Sequence, residues 1–100
     1  MERYNIIINP EAENDLDEIV DYLATLSEQT ALQYYDLIIE KIKSLSTMPE
    51  RCSQVKDVGI RLRGYRKLLV KNYIVFFVVN GKTVEIRRIL YARRQYDGLL

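Results

Sequence analysis

The chain has no histidine and no tryptophan, a single cysteine, two prolines and four glycines among its 100 residues. Without histidine it lacks the commonest metal ligand and the side chain that titrates nearest neutral pH. Any acid–base chemistry would therefore fall to arginine, lysine, tyrosine or carboxylates. Lone Cys52 cannot close an internal disulfide, which points to a reducing compartment, the cytoplasm. Residues 73–79 form the longest wholly apolar run, far short of the ~20 residues that cross a bilayer, so no membrane partner is expected. The opening Met1-Glu2-Arg3-Tyr4 carries no signal-peptide pattern. There is no glycine-rich phosphate loop, and Asp57 and Glu85 stand alone rather than as paired carboxylates spaced for a metal. Neither a metal nor a cofactor is expected.

What is present is a division of charge. Residues 1–50 carry three basic and eleven acidic side chains, a net of −8, and residues 51–100 carry twelve basic and three acidic, a net of +9. The overall +1 hides this. A surface of one sign raises the local potential enough to recruit and orient a partner of the other. The basic half ends in Arg93-Arg94-Gln95-Tyr96, with Arg87 and Arg88 upstream. Arginine forks hold phosphate and aromatic faces stack on bases. Composition is otherwise that of one globular domain over residues 1–100, 48% hydrophobic and 29% charged. A chain this long buries roughly 65% of its unfolded surface.

Residues 4–9 read as a strand with three isoleucines. Asn9 is a good helix cap and Pro10 a good first helical residue. Ala12, Leu16, Ile19, Leu23 and Leu26 follow at helical spacing, with an acidic solvated face between them. Residues 27–30 break and re-cap the chain, and Ala31, Tyr35, Ile38, Ile42 and Leu45 predict a second helix, stopped at Pro49. Residues 50–60 read as an exposed irregular loop. Residues 62–70, 73–79 and 83–91 read as three strands, joined by a Lys71-Asn72 turn and by Asn80-Gly81, a type I′ hairpin with positive φ at both positions. The apolar run at 73–79 predicts the central strand. The fold class expected is α+β, in the order β-α-α-β-β-β: a small antiparallel sheet with a helical hairpin on one face. The acidic hairpin and the basic meander should then lie on opposite sides of the sheet.

Several pieces, in this order and spacing, resemble the RelE/ParE toxin superfamily of bacterial type II toxin–antitoxin systems. They are Asn9-Pro10-Glu11-Ala12 with Asp15-Leu16 and Ile19, Met48-Pro49-Glu50, Gly64-Tyr65-Arg66, Asn72-Tyr73, and Arg88-Ile89-Leu90-Tyr91-Ala92-Arg93-Arg94-Gln95-Tyr96 with Leu99-Leu100. The resemblance covers nearly the whole chain. It implies a growth-inhibiting toxin held inactive by a cognate antitoxin. It leaves the target open between two branches: ParE-like toxins poison DNA gyrase, and RelE-like toxins are ribosome-dependent mRNA endonucleases. A third reading is an inert module that only binds its antitoxin as co-repressor.

For the nuclease branch, the resemblance implies catalytic roles for Arg66, Arg94 and Tyr96. That branch carries an arginine directly after the tyrosine of the central strand, where this chain has Ile74, and a second basic position falls at Leu68. A preorganised cation beside a phosphorane contributes about 2–4 kcal/mol, so these departures tilt the reading towards gyrase. Arg61, Arg63, Lys67, Arg88, Tyr91 and Arg93 are the candidates for nucleic-acid or antitoxin binding. For Arg61, Arg63, Arg66 and Lys67 a solvated strand face is an equal alternative. Arg87 and Arg88 are adjacent in a strand and should point to opposite faces, one of them free to pair with a helix carboxylate. Tyr34 and Tyr35 read as packing, Tyr91 and Tyr96 as stacking residues, and Cys52 as a spectator.

Overall fold

The computed structural model describes residues 2–96 and 98–100; Asp97, one of the three acidic residues of the basic half, lies outside them. Strand β1 (Asn5–Ile8) leads through Asn9 into helix α1 (Pro10–Leu26). The link to helix α2 (Glu28–Ser44) is a single residue, Ser27, whose hydroxyl accepts the Thr30 N–H at 3.2 Å. That side-chain acceptor satisfies one of the unpaired donors at the start of α2, as the sequence expectation of a new cap requires.

The region from 50 to 62 differs from expectation. A single 3₁₀ turn at Pro49–Arg51 is followed by a short helix α3 (Val58–Leu62), so Arg61 and Leu62 are helical and not part of a strand. Asp57 caps α3 by accepting the Ile60 N–H at 3.0 Å. Strand β2 (Tyr65–Val70) begins only after Gly64, whose φ of +88° only a glycine adopts at low cost. Strands β3 (Tyr73–Asn80) and β4 (Thr83–Tyr91) complete the sheet. The Asn80/Gly81 expectation needs a correction. Asn80 pairs with Thr83 inside the ladder, and of these turn residues only Gly81 has positive φ, +62°.

The sheet runs in the order β1-β4-β3-β2. The three later strands form the expected antiparallel meander, and β1 adds alongside β4 in parallel. Strand β3 is interior, as its unbroken apolar run implies. Directly paired residues share a face, so Leu68, Val75 and Ile89 look one way and Lys67, Phe76 and Arg88 the other. The first face meets the helical hairpin in a core of Leu16, Ile38, Ile42, Leu45, Val75, Phe77, Val84, Ile86 and Ile89. The opposite face carries a second, smaller cluster of Val55, Ile60, Tyr65, Phe76 and Leu90. Against it pack Ile74, Val78 and the C-terminal residues Tyr96, Leu99 and Leu100. No described helix is long and apolar enough to cross a membrane.

Candidate functional site

A β-bulge decides where the arginines go. Opposite Phe76 and Phe77, strand β4 supplies Arg88 and Ile86, so Arg87 is the extra residue. The bulge breaks the simple alternation that would send Arg87 and Arg88 to opposite faces. Both side chains instead line one cavity of about 460 Å³ on the side away from the hairpin, with Arg63, Tyr65, the start of α1 and the tail residues Leu99 and Leu100. Arg63 and Arg87 place their guanidinium carbons 6.0 and 5.8 Å from the Tyr65 ring centroid. Arg87 donates through Nε and Nη2 to Glu85 Oε1 at 3.2 and 2.8 Å. These hydrogen bonds raise the Arg87 pKa and hold the Glu85 carboxyl below its ordinary value.

Arg88 is committed inside the fold. Strand β1 ends at Ile8, leaving the following part of β4 paired with β3 but without a strand on its other side. Asp15 of α1 fills that place. Its Oδ2 accepts from the Ile89 N–H at 2.9 Å and from Arg88 Nε at 2.7 Å, and its Oδ1 accepts from Arg88 Nη2 at 2.8 Å. Asp15 is 6% exposed and the Arg88 side chain 19%. The paired carboxylate keeps Arg88 charged, pushing its pKa further up. The helix carboxylate expected for one of the two adjacent arginines is therefore Asp15, and its partner is Arg88. Arg88 also donates through Nη1 to the Leu99 carbonyl at 3.1 Å, which helps tie down the tail.

The three residues implied for RNA cleavage are scattered. Arg66 pairs with Phe77 and so belongs to the hairpin side, at the sheet edge. Its Nη1 donates to the carbonyls of Glu50 and Cys52 at 3.2 and 2.7 Å, anchoring the 3₁₀ turn. Arg94 lies at the other end of the molecule, against α1, lining a small cavity with Asp15, Glu18, Tyr22, Tyr73 and Tyr91. Along β3, the Tyr73 level of Arg94 and the Phe77 level of Arg66 are about 13 Å apart. Tyr96 packs across the sheet on Phe76, with ring centroids 4.8 Å apart. Ile74 and Lys67 line a separate cavity of about 210 Å³ with Ser53 and Leu69.

The remaining candidates divide similarly. Arg61 turns back to the Lys56 carbonyl (3.4 Å), Arg63 donates to the Leu100 carbonyl (3.2 Å), and Arg93 is exposed. Tyr91 is half-exposed beside Tyr73, at 5.8 Å, and Tyr73 meets Tyr34 at 6.1 Å. Burial raises the Tyr73 pKa. With Tyr22, Leu23 and Asn72 these rings bound a cavity of about 560 Å³ between the hairpin and the sheet end. Arg94 and the tyrosines sit on the acidic side, so the expected separation of charge across the sheet is incomplete. Sequence reasoning weighed Arg87 only beside Arg88 and quoted Tyr65 only within Gly64-Tyr65-Arg66, and it counted neither among the binding candidates. Their meeting depends on the bulge, for which adjacent arginines give no periodic signal.

The family described as the ParE toxin of type II toxin–antitoxin systems, parDE, matches residues 6–96. Among solved structures, a chain of the chromosomal ParDE toxin–antitoxin system from P. aeruginosa superposes with a TM-score of 0.78. It shares 25% sequence identity, covering 91% of this chain and 98% of that one. A chain of the RelBE2 toxin–antitoxin complex from Mycobacterium tuberculosis superposes with a TM-score of 0.67 at 17% identity, covering 91% and 93%. At that identity the second likeness concerns the fold alone. No curated protein sequence matches the chain.

Proposed function

The chain belongs to the ParE toxin family of type II toxin–antitoxin systems, and on that premise we propose that it arrests growth by binding DNA gyrase in the cytoplasm, not by cleaving RNA. A cognate antitoxin neutralises it. The observation that carries this reading is the dispersal of Arg66, Arg94 and Tyr96 over two faces and two ends of the sheet. Cleavage by the ribose 2′-hydroxyl needs a proton acceptor, a proton donor and a cation within hydrogen-bond reach of one phosphate. Arg66 is held by backbone carbonyls, and the two places where a nuclease would add cations are Ile74 and Leu68. Leu68 packs against the hairpin core. What remains is a protein whose action rests on a binding surface.

The test is a pair of assays on the purified chain. Supercoiling by DNA gyrase should be inhibited, and mapping of messenger ends on programmed ribosomes should show no codon-phased cleavage. Ribosome-dependent cleavage that disappears in Arg94→Ala would establish the nuclease reading instead. Free growth on induction without antitoxin would leave the inert co-repressor. Ile74→Arg sharpens the choice. Ile74 borders a cavity beside Lys67, so an arginine there has room to reach water. The variant should fold, with a stability loss under about 1.5 kcal/mol, and should gain no cleavage. A folded Ile74→Arg protein that cuts messenger on ribosomes would overturn the gyrase reading.

A further inference from the structure

We propose that the cavity between the start of α1, the end of α3 and the β4 bulge is a carboxylate-recognition site that takes one acidic side chain of the antitoxin. This rests on the antitoxin reading given above. Three cations converge there, Arg63, Arg87 and Arg88, with Glu11 as the one acidic residue bordering the cavity among the described residues. A guanidinium carries five N–H donors. Arg87 commits Nε and one Nη2 proton to Glu85, and Arg63 commits one Nη1 proton to the main-chain oxygen of Leu100, which itself borders the cavity. Among the described contacts, Nη1 of Arg87 and both Nε and Nη2 of Arg63 remain available to an incoming anion. Arg88 is fixed by Asp15, which offsets its charge, so Arg63 and Arg87 are the forks left to meet an anion.

The shape selects among anions. Arg63 and Arg87 flank the same buried ring, Tyr65, which holds both forks within 6.0 Å of its centroid. Tyr65 is 5% exposed, so it offers no face on which a base could stack. A nucleic-acid backbone is tracked by cations spread along a line, whereas these converge on one recess. Paired arginine forks suit a single planar carboxylate, bound through parallel N–H···O contacts. The occupant then comes from an acidic segment, which the +9 half of the chain attracts.

Two measurements test the site. In the first, the arginine Nε–Hε signals of the purified chain are followed while sodium acetate, inorganic phosphate or a twelve-nucleotide single-stranded DNA is added at constant ionic strength. Acetate should shift Arg63 and Arg87 saturably, in the roughly millimolar range. Shifts produced by the oligonucleotide and not by acetate would replace the carboxylate with a nucleic-acid phosphate. No saturable shift from any probe would remove the site. In the second, the dissociation rate of the antitoxin encoded beside this chain is compared for wild type, Arg63→Gln, Arg87→Gln and the exposed turn residue Lys71→Gln. The two arginine variants should dissociate about tenfold faster, with only a small fall in melting temperature as Arg87 gives up Glu85 and Arg63 gives up Leu100, and Lys71→Gln less than about twofold faster. Equal effects from all three would overturn the proposal by reducing it to general charge. If wild type binds no antitoxin, the premise fails, and acetate binding alone would show a carboxylate site with a different occupant.

Discussion

On the hairpin side of the sheet, Val75, Phe77, Ile86 and Ile89 are sealed by Ile38, Ile42 and Leu45 from two long helices. On the other side, Phe76 and Leu90 are sealed by Val55, by Ile60 of the short helix α3, and by Tyr96, Leu99 and Leu100 from the tail. The first seal is wide and apolar. The second is small, and its tail is held partly by hydrogen bonds from Arg63 and Arg88 to the carbonyls of Leu100 and Leu99. Cover of the second kind can yield to a partner at a cost the partner's own contacts can offset, because regions with few apolar contacts open with the least free energy. The hairpin side therefore carries most of the apolar packing that maintains the fold, and the recognition proposed above falls on the lighter side.

Truncating Phe77 should break the stronger side. Phe77 is fully buried in the larger cluster, and Phe77→Ala should cost about 3–5 kcal/mol by lost transfer energy and a residual cavity. In a domain whose total stability is about 5–15 kcal/mol, urea unfolding would find much of the native margin gone. A loss below about 1 kcal/mol would mean that the two sides are not built differently.

Asp15→Ala tests the joint between the two sides, since Asp15 reaches from α1 to the arginine-bearing strand. Removing it strands the Ile89 N–H and a mostly buried Arg88 charge. The expected loss is about 2–4 kcal/mol, below the full figure for a sealed ion pair because Arg88 keeps some solvent. Asp15→Asn should recover part of it, as its carbonyl can still accept the Ile89 N–H. Equal melting temperatures for the two variants would show that charge alone matters there.

How much of this was legible beforehand follows the same divide. Both helices, a re-capped break between them and the central position of β3 were readable from local periodicity or a capping residue, although the break expected at 27–30 is the single residue Ser27. The 3₁₀ turn and α3 were not readable. Five helical residues give no period, and Asp57 as their cap looks like any polar loop residue until the Ile60 N–H is seen to reach it. Adjacency suggested that one of Arg87 and Arg88 could pair with a helix carboxylate, but through an alternation of faces that the bulge removes. The identity of that carboxylate was not readable, since Asp15 and Arg88 are 73 residues apart and meet only because β1 stops short. The arginine cavity was hidden for the same reason. It depends on a register shift at Phe76/Phe77, which leaves no trace in residue types.

Leu99→Ala probes the weaker side. The side chain is only partly buried against the second cluster, so the expected loss is about 1 kcal/mol. Hydrogen exchange should show faster opening of the residues beneath it, with the helices unaffected. A loss as large as that of Phe77→Ala would make the tail part of the main fold and end its role as a light cover.

The smallest effect is electrostatic and lies on the arginine side. Glu85 accepts from Arg87, and those hydrogen bonds, with a weaker one from Asn80 at 3.5 Å, hold its pKa below the ordinary 4.5. Between that depressed folded value and 4.5 the unfolded chain binds more protons than the folded one. The pair's contribution is therefore fully present above about pH 4.5 and is lost as the pH falls through the folded value. Both side chains keep some solvent, 23% for Glu85 and 37% for Arg87, which limits the contribution to about 1 kcal/mol or less. Glu85→Gln removes the titration and leaves an amide able to accept from Arg87. As the pH falls below about 4.5 the melting temperature of wild type should fall more steeply than that of the variant, and the two curves should converge once the pH is below the folded value. Parallel curves would mean that solvent screens the pair entirely. Arg87 would then be as free as Arg63 to meet an incoming carboxylate, and the two arginine variants should speed antitoxin release equally.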